Sequence, residues 1–271
     1  MGISSINSSR SIYRNYYQEQ NAQRNRQQIA SGKKVNTAAD NAAALQIIQK
    51  MASQSNGYDM GTRNAATSQD MINVADGSLS TVTDSLQRIR ELSIQASNTA
   101  VYGSDDLESI QQEIDQLKSS ISDAANNTQF NRMNILDGSM GKSHVASAPD
   151  GSGMDIDMPN AVLSSLGIAD FDVTKDFDIS TIDSAIEKVS SARSSLGATS
   201  NRLDYTMNFN SYASYNITAS RSRLEDLDYA QAISDMKKND LLQEYRIMMQ
   251  KKQQNNNFVR MRQMLNFQTS I

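Results

Sequence analysis

The residues that most often do chemistry are scarce in this chain. It has one histidine and no cysteine, which excludes disulfides, thiolate metal sites and cysteine nucleophiles. His144 stands among Ser, Lys and Gly and reads as a solvated loop side chain, not a base or a metal ligand. Carboxylates cluster at Asp155/Asp157 and at Asp170/Asp172/Asp176/Asp178, a residue type that suits Ca²⁺. No Gly occupies the turn position of an EF-hand loop and the spacing does not repeat that loop, so both read as solvated acidic segments. There is no Gly-rich phosphate loop, no nucleophile elbow and no paired-His spacing. The sequence therefore predicts no catalytic residue, no cofactor and no metal site.

The chemistry left is adhesive. Met248, Met249, Met261 and Met264 lie on a Gln-rich stretch, and Met fills irregular grooves as an adaptable docking surface. Tyr13, Tyr16 and Tyr17 near Arg10 and Arg14 are the one hint of a stacking platform for nucleic acid. Residues 1–36 and 237–271 each carry +5, so the net −4 leaves −14 for the middle. Basic tails can bind nucleic acid, but both tails also carry spaced apolar residues and read as solvated helix faces. No apolar run approaches the ~20 residues of a membrane span. Met1-Gly2-Ile3-Ser4 opens no basic-then-apolar leader, so a route other than an ordinary signal peptide is expected if the protein leaves the cell.

The elements that carry these residues are long helices. Both Pro and five of the twelve Gly fall between 138 and 167, and elsewhere helix breakers are sparse. Residues 1–31 form a helix with a thin apolar stripe, Ile3, Ile6, Ile12, Tyr16 and Ile29, stopping at Ser31-Gly32. Thr37-Ala-Ala-Asp40 has capping-box form and starts an Ala-rich helix to about 98. Its seam Leu79, Val82, Leu86, Ile89, Leu92 or Ser93, Ala96 has spacings that alternate near 3 and 4, as in a coiled-coil edge. After Tyr102-Gly103, Ser104 or Asp105 caps a helix with Ile110, Ile114, Leu117 and Ile121 on one face. From about 129 to 178, alternation such as Met154-Asp-Ile-Asp-Met158 predicts one or two hairpins and loops. Ser180-Thr-Ile-Asp183 is a second capping box, opening a helix to about 235 with Ile182, Ile186, Val189, Leu196, Leu203 and Met207 inward. Residues 236–271 form a last helix, with Leu241, Leu242, Met248, Met249, Met264 and Leu265 among its apolar residues.

The fold class expected is mainly α: a long antiparallel helical rod, a coiled-coil-like bundle, with a small β-hairpin insert and paired terminal helices. A 50-residue helix is ~75 Å long. Residues 1–36 and 236–271 form one domain and 37–235 a rod domain, with the insert at about 129–178. The terminal helices bury too little surface to offset ordering costs of ~1–2 kcal/mol per residue. They are expected to fray in the monomer and to order when neighbouring copies cover them.

Several segments resemble the bacterial flagellin family. Ser31-Gly-Lys-Lys-Val-Asn36 with Ala38-Ala-Asp-Asn-Ala-Ala43 is similar to its Ser-Gly-x-Arg-Ile-Asn…Asp-Asp-Ala-Ala-Gly stretch. Leu86-Gln-Arg-Ile-Arg-Glu-Leu92 is similar to its Leu-Gln-Arg-x-Arg-Glu-Leu. Gln129-Phe-Asn131, Val189-Ser-Ser-Ala-Arg193, Leu196-Gly-Ala-Thr-Ser-Asn-Arg-Leu203 and Ser222-Arg223 with Asp226 and Asp228 follow in family order. Ala44 and Arg132 stand where that family has Gly, and the tails are richer in Gln, Asn, Tyr and Met.

The resemblance implies a secreted, self-assembling subunit of the extracellular flagellar filament, minimal in its outer part. Terminal helices would form an inner tube, through Ile3, Ile6, Ile12, Tyr16, Leu241, Leu242, Met248, Met249, Met264 and Leu265. The rod seam would use Leu79, Val82, Leu86, Ile89, Ile114, Leu117, Ile186, Val189, Leu196 and Leu203. Implied partners are further copies, an export chaperone on the C-terminal helices, the type III export apparatus, and the filament cap and hook-associated proteins. Arg88, Leu92, Gln95 and Glu113 match the surface read by the host Toll-like receptor for flagellin. A hook–filament junction protein of the same superfamily is the alternative, and a basic-tailed nucleic-acid-binding coiled coil the alternative of another class.

Overall fold

The computed structural model describes the backbone of residues 2–98 and 100–268, and the side chains of 16–17, 19–98 and 100–263. In chain order the elements are α1 (Gly2–Ser31), α2 (Ala38–Ala96), α3 (Ser104–Asn127), β1 (Gln129–Phe130) and β2 (Met133–Asn134). Then come β3 (Lys142–Ala146), β4 (Gly153–Asp157), α4 (Leu163–Leu166), α5 (Ser180–Glu225) and α6 (Tyr229–Gln268). The chain forms two compact units: a terminal unit of residues 1–52 and 218–271, and a central unit of residues 53–217.

The helix ends show which polar side chains do the capping. Asp40 accepts from the backbone N–H groups of Asn36 (3.1 Å) and Thr37 (2.9 Å) and from the Thr37 hydroxyl (3.0 Å). These bonds hold the Asp40 carboxyl below the usual carboxylate range, the Thr37 N–H being the main cause. The turn they close is not yet the long helix. Asn41 is extended (φ −164°, ψ 99°), and its side-chain oxygen accepts from the Ala44 N–H at 2.9 Å, so Asn41 is the true N-cap. At α5 the cap is Asp178, not Ser180: its carboxylate takes the Ser180 N–H at 2.9 Å and the Ser180 hydroxyl. At α3 neither Ser104 nor Asp105 caps. The Asp106 carboxylate reaches back to the Gly103 N–H at 3.0 Å.

The expected continuous helix from 180 to 235 is broken. α5 stops at Glu225 and α6 begins at Tyr229, because Asp228 accepts from the N–H groups of Ala230 and Gln231, both at 3.1 Å. An N-cap costs the chain its helical φ/ψ at that position. In the terminal unit this break lies beside the break after α1. Lys34 N–H donates to Glu225 O (2.6 Å), Leu227 N–H to Gly32 O (3.0 Å), and Lys33 Nζ sits 2.6 Å from Glu225. Gly32 has φ +71°, a conformation that suits Gly, and α1 packs against α6.

The central unit is built on α2 and α5 in antiparallel register. Ser55 bonds Ser214 (3.0 Å), Gln69 bonds Ser200 (2.5 Å), Arg193 bonds Asp76 (2.7 Å) and Arg90 bonds Asp183 (2.6 Å). As the α2 number rises the α5 number falls. α3 lies antiparallel to α2 as well, with Thr128 on Ser78 (2.8 Å) and Glu113 on Arg88 (2.9 Å). The seam between them is mostly apolar where it is deepest: Leu79, Val82, Leu86, Ile89, Ile114, Ile121, Ile182 and Leu203 have no exposed surface, and the equally buried Ser93 hydroxyl donates to the Ile89 carbonyl.

The segment 129–178 is more than a surface insert. Ile135, Leu136, Ile156, Ile168 and Val173 are buried in the same apolar cluster as the helices. β3 and β4 pair antiparallel with Val145 opposite Met154 and His144 opposite Asp155. Val145 and Ile156 face inward; His144 and Asp155 face water. The β1–β2 hairpin turns at Asn131 (φ 51°) and Arg132 (φ 64°). Two left-handed residues define a type I′ turn, whose favoured sequence is Asn-Gly. Arg132 therefore bears a left-handed cost of ~1–2 kcal/mol, partly offset by the entropy a glycine would lose. Arg132→Gly should stabilise the protein by about 0.5–1 kcal/mol, read as a raised urea midpoint. An unchanged or lower midpoint would count against this account of the turn.

Candidate functional site

The described residues hold no group of three His, Cys, Asp or Glu arranged to bind a metal. Each acidic cluster singled out in the sequence has a local task. Asp155 lies 2.8 Å from His144 Nδ1 across the hairpin, and this bond, with the Gly151 carbonyl, raises the His144 pKa. Asp178 caps α5. Asp172 accepts from the Thr174 N–H (2.9 Å) and hydroxyl (2.6 Å) and pairs with Lys175 Nζ (2.8 Å). Lys175 and Thr174 together hold the Asp172 carboxyl down to about 2.

The sign of the resulting pH effect follows from that depression. The stabilisation is fully present above the ordinary value of 3.8 and is lost as the pH falls towards 2. Asp172→Asn should be less stable than the parent at pH 6, with the gap closing between about pH 4 and pH 2. Urea midpoints across that range check it; a gap that stays constant would remove Asp172 from the account.

The exposed surface is where the molecule departs from an ordinary soluble domain. On α6 every described residue from 241 to 263 is exposed. Leu241 (66%), Met248 (64%), Phe258 (64%) and Tyr245 (61%) are the most exposed large hydrophobic side chains there, with Leu242, Met249 and Met261 also outward. Leu241, Leu242, Tyr245 and Met248 line one shallow groove, edged by Lys237 and Lys238. Tyr16 on α1 is 60% exposed. The side chains of Ile3, Ile6, Ile12, Met264 and Leu265 lie outside the described residues. Pairing two helices can cover only one stripe of each, which is why so much apolar surface stays open.

The other predicted positions sort by burial. Leu79, Val82, Leu86, Ile89, Ile114, Val189, Leu196 and Leu203 are buried in the central seam, and Leu117 and Ile186 pack partly buried against it. Of the four surface positions, Arg88, Gln95 and Glu113 are exposed. Arg88 bonds both Glu113 (2.9 Å) and Glu91 (3.1 Å), and Gln95 bonds the Tyr102 hydroxyl at 3.0 Å. Leu92 is corrected: it is 2% exposed, because it follows Ile89 by three residues and so falls on the seam face.

Sequence reasoning missed Gly57 and Gly61. A side chain at Gly61 would lie 2.1 Å from the Ser147 carbonyl oxygen, and one at Gly57 2.6 Å from Pro149. Spaced four apart, both glycines lie on one face of α2, and the β3–β4 loop rests there. Asn210 donates to Ser147 O (2.7 Å) and Asn64 to Ala146 O (2.9 Å). The readable signal was an i, i+4 glycine pair inside an otherwise breaker-poor helix.

Long helices with a buried seam, a small β insert and an uncovered apolar surface on α6 define a mainly α, helical-bundle protein. The comparisons with known proteins give that class a family. The model for the bacterial flagellin N-terminal helical region matches residues 3–140, and that for the C-terminal helical region residues 179–261. The flagellin of Bacillus subtilis (strain 168) is 33% identical over 82% of this chain and 85% of its own. The flagellar filament 33 kDa core protein of Treponema phagedenis is 34% identical over 81% and 84%. A solved structure described as a flagellar hook-associated protein from Vibrio parahaemolyticus superposes with a TM-score of 0.55, covering 69% of this chain and 100% of that one. At 15% identity it shows the fold alone. The chain belongs to the bacterial flagellin family. It is a structural subunit of the flagellar filament, which sets aside the nucleic-acid reading of its basic tails.

Proposed function

We propose that this subunit polymerises through its terminal helices, and that residues 1–36 and 236–271 form the inner tube of an extracellular filament with 37–235 packed around it. The observation that supports this is the continuous exposed surface of α6, where Leu241, Leu242, Met248 and Met249 stand open to solvent. Apolar area contributes ~25 cal/mol per Å² when removed from water, so covering these side chains with further copies is the driving force. The protein acts by assembling and catalyses nothing.

The same α6 face suits an export chaperone before assembly, since Leu and Met side chains can be covered by one partner and then another. The chain then leaves the cell through the type III apparatus and is added beneath the filament cap, beyond the hook-associated proteins. Arg88, Gln95 and Glu113 form the exposed patch that a host Toll-like receptor would read. Arg is suited to such a contact because its planar fork makes several hydrogen bonds. Loss of receptor binding on replacing Arg88 and Glu113 with Ala tests that part.

Assembly itself is tested by seeding purified monomer with short filament fragments and imaging by electron microscopy, beside a chain lacking 1–30 and 240–271. Filaments from the intact chain alone support polymerisation through the tails. Filaments from the truncated chain would refute it, and no filaments from either would move the reading to a hook–filament junction protein.

A further inference from the structure

The chain has no cysteine, so its fourteen methionine thioethers are the side chains most readily oxidised. They are not equally open. Met71 and Met158 are buried in the central unit, 5% and 6% exposed. On α6, Met248 is 64% exposed, Met261 57% and Met249 49%. Among the described residues, Met60 and Met133 of the central unit are the other exposed methionines.

The placing of the α6 methionines is what gives their sulfur a meaning. Met248 follows Leu241, and Met249 follows Leu242, by seven residues. Two helical turns return such a pair to one face, and Leu241, Leu242, Tyr245 and Met248 line one groove. Along this face aliphatic side chains give way to thioethers. Leu and Met fill similar volumes and exchange at small cost in a packed contact, so covering by a partner does not by itself call for sulfur. Met has what Leu lacks, a sulfur lone pair open to an oxidant.

Hydrogen peroxide supplies the oxygen. The thioether sulfur attacks one peroxide oxygen, the O–O bond breaks and an S–O bond forms. The departing hydroxide takes the remaining proton and leaves as water. Sulfur loses two electrons and peroxide gains them. The sulfoxide oxygen is a strong hydrogen-bond acceptor on what was an apolar side chain. Water satisfies it on an open α6; an apolar contact that covers it leaves it unpaired, and that is costly.

We propose that Met248, Met249 and Met261 are an oxidation-sensitive control on assembly, in which peroxide converts them to sulfoxides in the unassembled subunit and the modified α6 is refused by the growing polymer. This rests on the reading that further copies cover α6. It adds a chemical state of the subunit that decides whether covering can occur. The state is reversible, because methionine sulfoxides of both configurations are reduced enzymatically to thioethers. Met71 and Met158 are shielded, so the central unit keeps its fold.

The experiment treats intact monomer with hydrogen peroxide to about one added oxygen per chain, removes the peroxide, and seeds growth with short filament fragments. Peptide mapping then compares the sedimented filaments with the monomer left in solution. Sulfoxides at Met248, Met249 and Met261 should be at least about tenfold enriched in the unassembled fraction. The treated monomer should keep its thermal midpoint, and reduction by methionine sulfoxide reductases of both specificities should return it to the assembling pool. The variant Met248→Leu, Met249→Leu, Met261→Leu is compared with itself before and after peroxide, and its critical concentration should change by less than about twofold. An even division of the three sulfoxides between filament and solution would overturn the control while leaving the polymer reading intact. So would a fallen thermal midpoint, no recovery on reduction, or a variant as peroxide-sensitive as the parent. Untreated chain that forms no filament would overturn both.

Discussion

Gly61→Ala should destabilise the central unit, although alanine is the better helix former. In an exposed helix interior that exchange gains about 1 kcal/mol. At Gly61 the added carbon meets the Ser147 carbonyl oxygen at 2.1 Å and its carbon at 2.6 Å, backbone atoms that cannot swing aside. The β3–β4 loop must lift off α2. Lifting it breaks the Asn210–Ser147 and Asn64–Ala146 bonds and leaves the side chain of Asn210, a residue only 2% exposed, without that acceptor. Two lost bonds at ~1 kcal/mol each and a stranded buried amide at ~1–3 kcal/mol outweigh the helix gain. The expected net loss is about 2 kcal/mol, or roughly 4–8 °C in thermal midpoint for a unit of this size. Gly77 is the control on the same helix, because nothing lies within 4 Å of a carbon added there. Gly77→Ala should stabilise by about 0.5–1 kcal/mol. If the two alanines shift the midpoint in the same direction, the docking of the hairpin on α2 is not what holds Gly61.

Amide exchange should divide the chain sharply. In dilute monomer, residues 16–30 and 241–263 should exchange close to unstructured rates, while α2 and α5 around Leu79, Leu86 and Leu203 exchange only by global unfolding. The reason is coverage. Each helical residue gives up ~1–2 kcal/mol of backbone entropy, and from 241 to 263 no described side chain is buried. In seeded filaments the same amides should slow by about two orders of magnitude or more, as neighbouring copies cover Leu241, Tyr245 and Met248. Strong protection of 16–30 in the dilute monomer would show that the terminal pair is stable by itself and would remove coverage as the driving force of assembly.

Much of the helical order could be read from local pattern. The 3–4 spacing of Leu79, Val82, Leu86 and Ile89 placed their side chains on one face before any partner was known. The break at Gly32 and the turn-rich segment after 129 were legible from residue type. The caps were less so. Thr37–Asp40 and Ser180–Asp183 have the right spacing, yet Asn41 and Asp178 cap the helices. Several oxygen-bearing side chains within four residues can each reach a free N–H, and the sequence does not rank them. The break at 226–228 was hidden for the same reason: the apolar pattern runs through it, and Asp228 interrupts it by a single local bond pair.

The sequence by itself determined which stretches are helical, that no thiol chemistry exists, and, by its motifs, the family to which the chain belongs. Periodicity and side-chain type act over a few residues, so a linear reading captures them. Only the tertiary structure decided the register that sets Asp76 beside Arg193 and Ser55 beside Ser214, the entry of Ile135, Ile156 and Ile168 into the helical core, and the seat of the hairpin on Gly57 and Gly61. It also decided that Tyr205, Phe209, Tyr212 and Tyr215 stay exposed. Those outcomes depend on which faces meet after residues more than a hundred positions apart are brought together, and no local pattern carries that information.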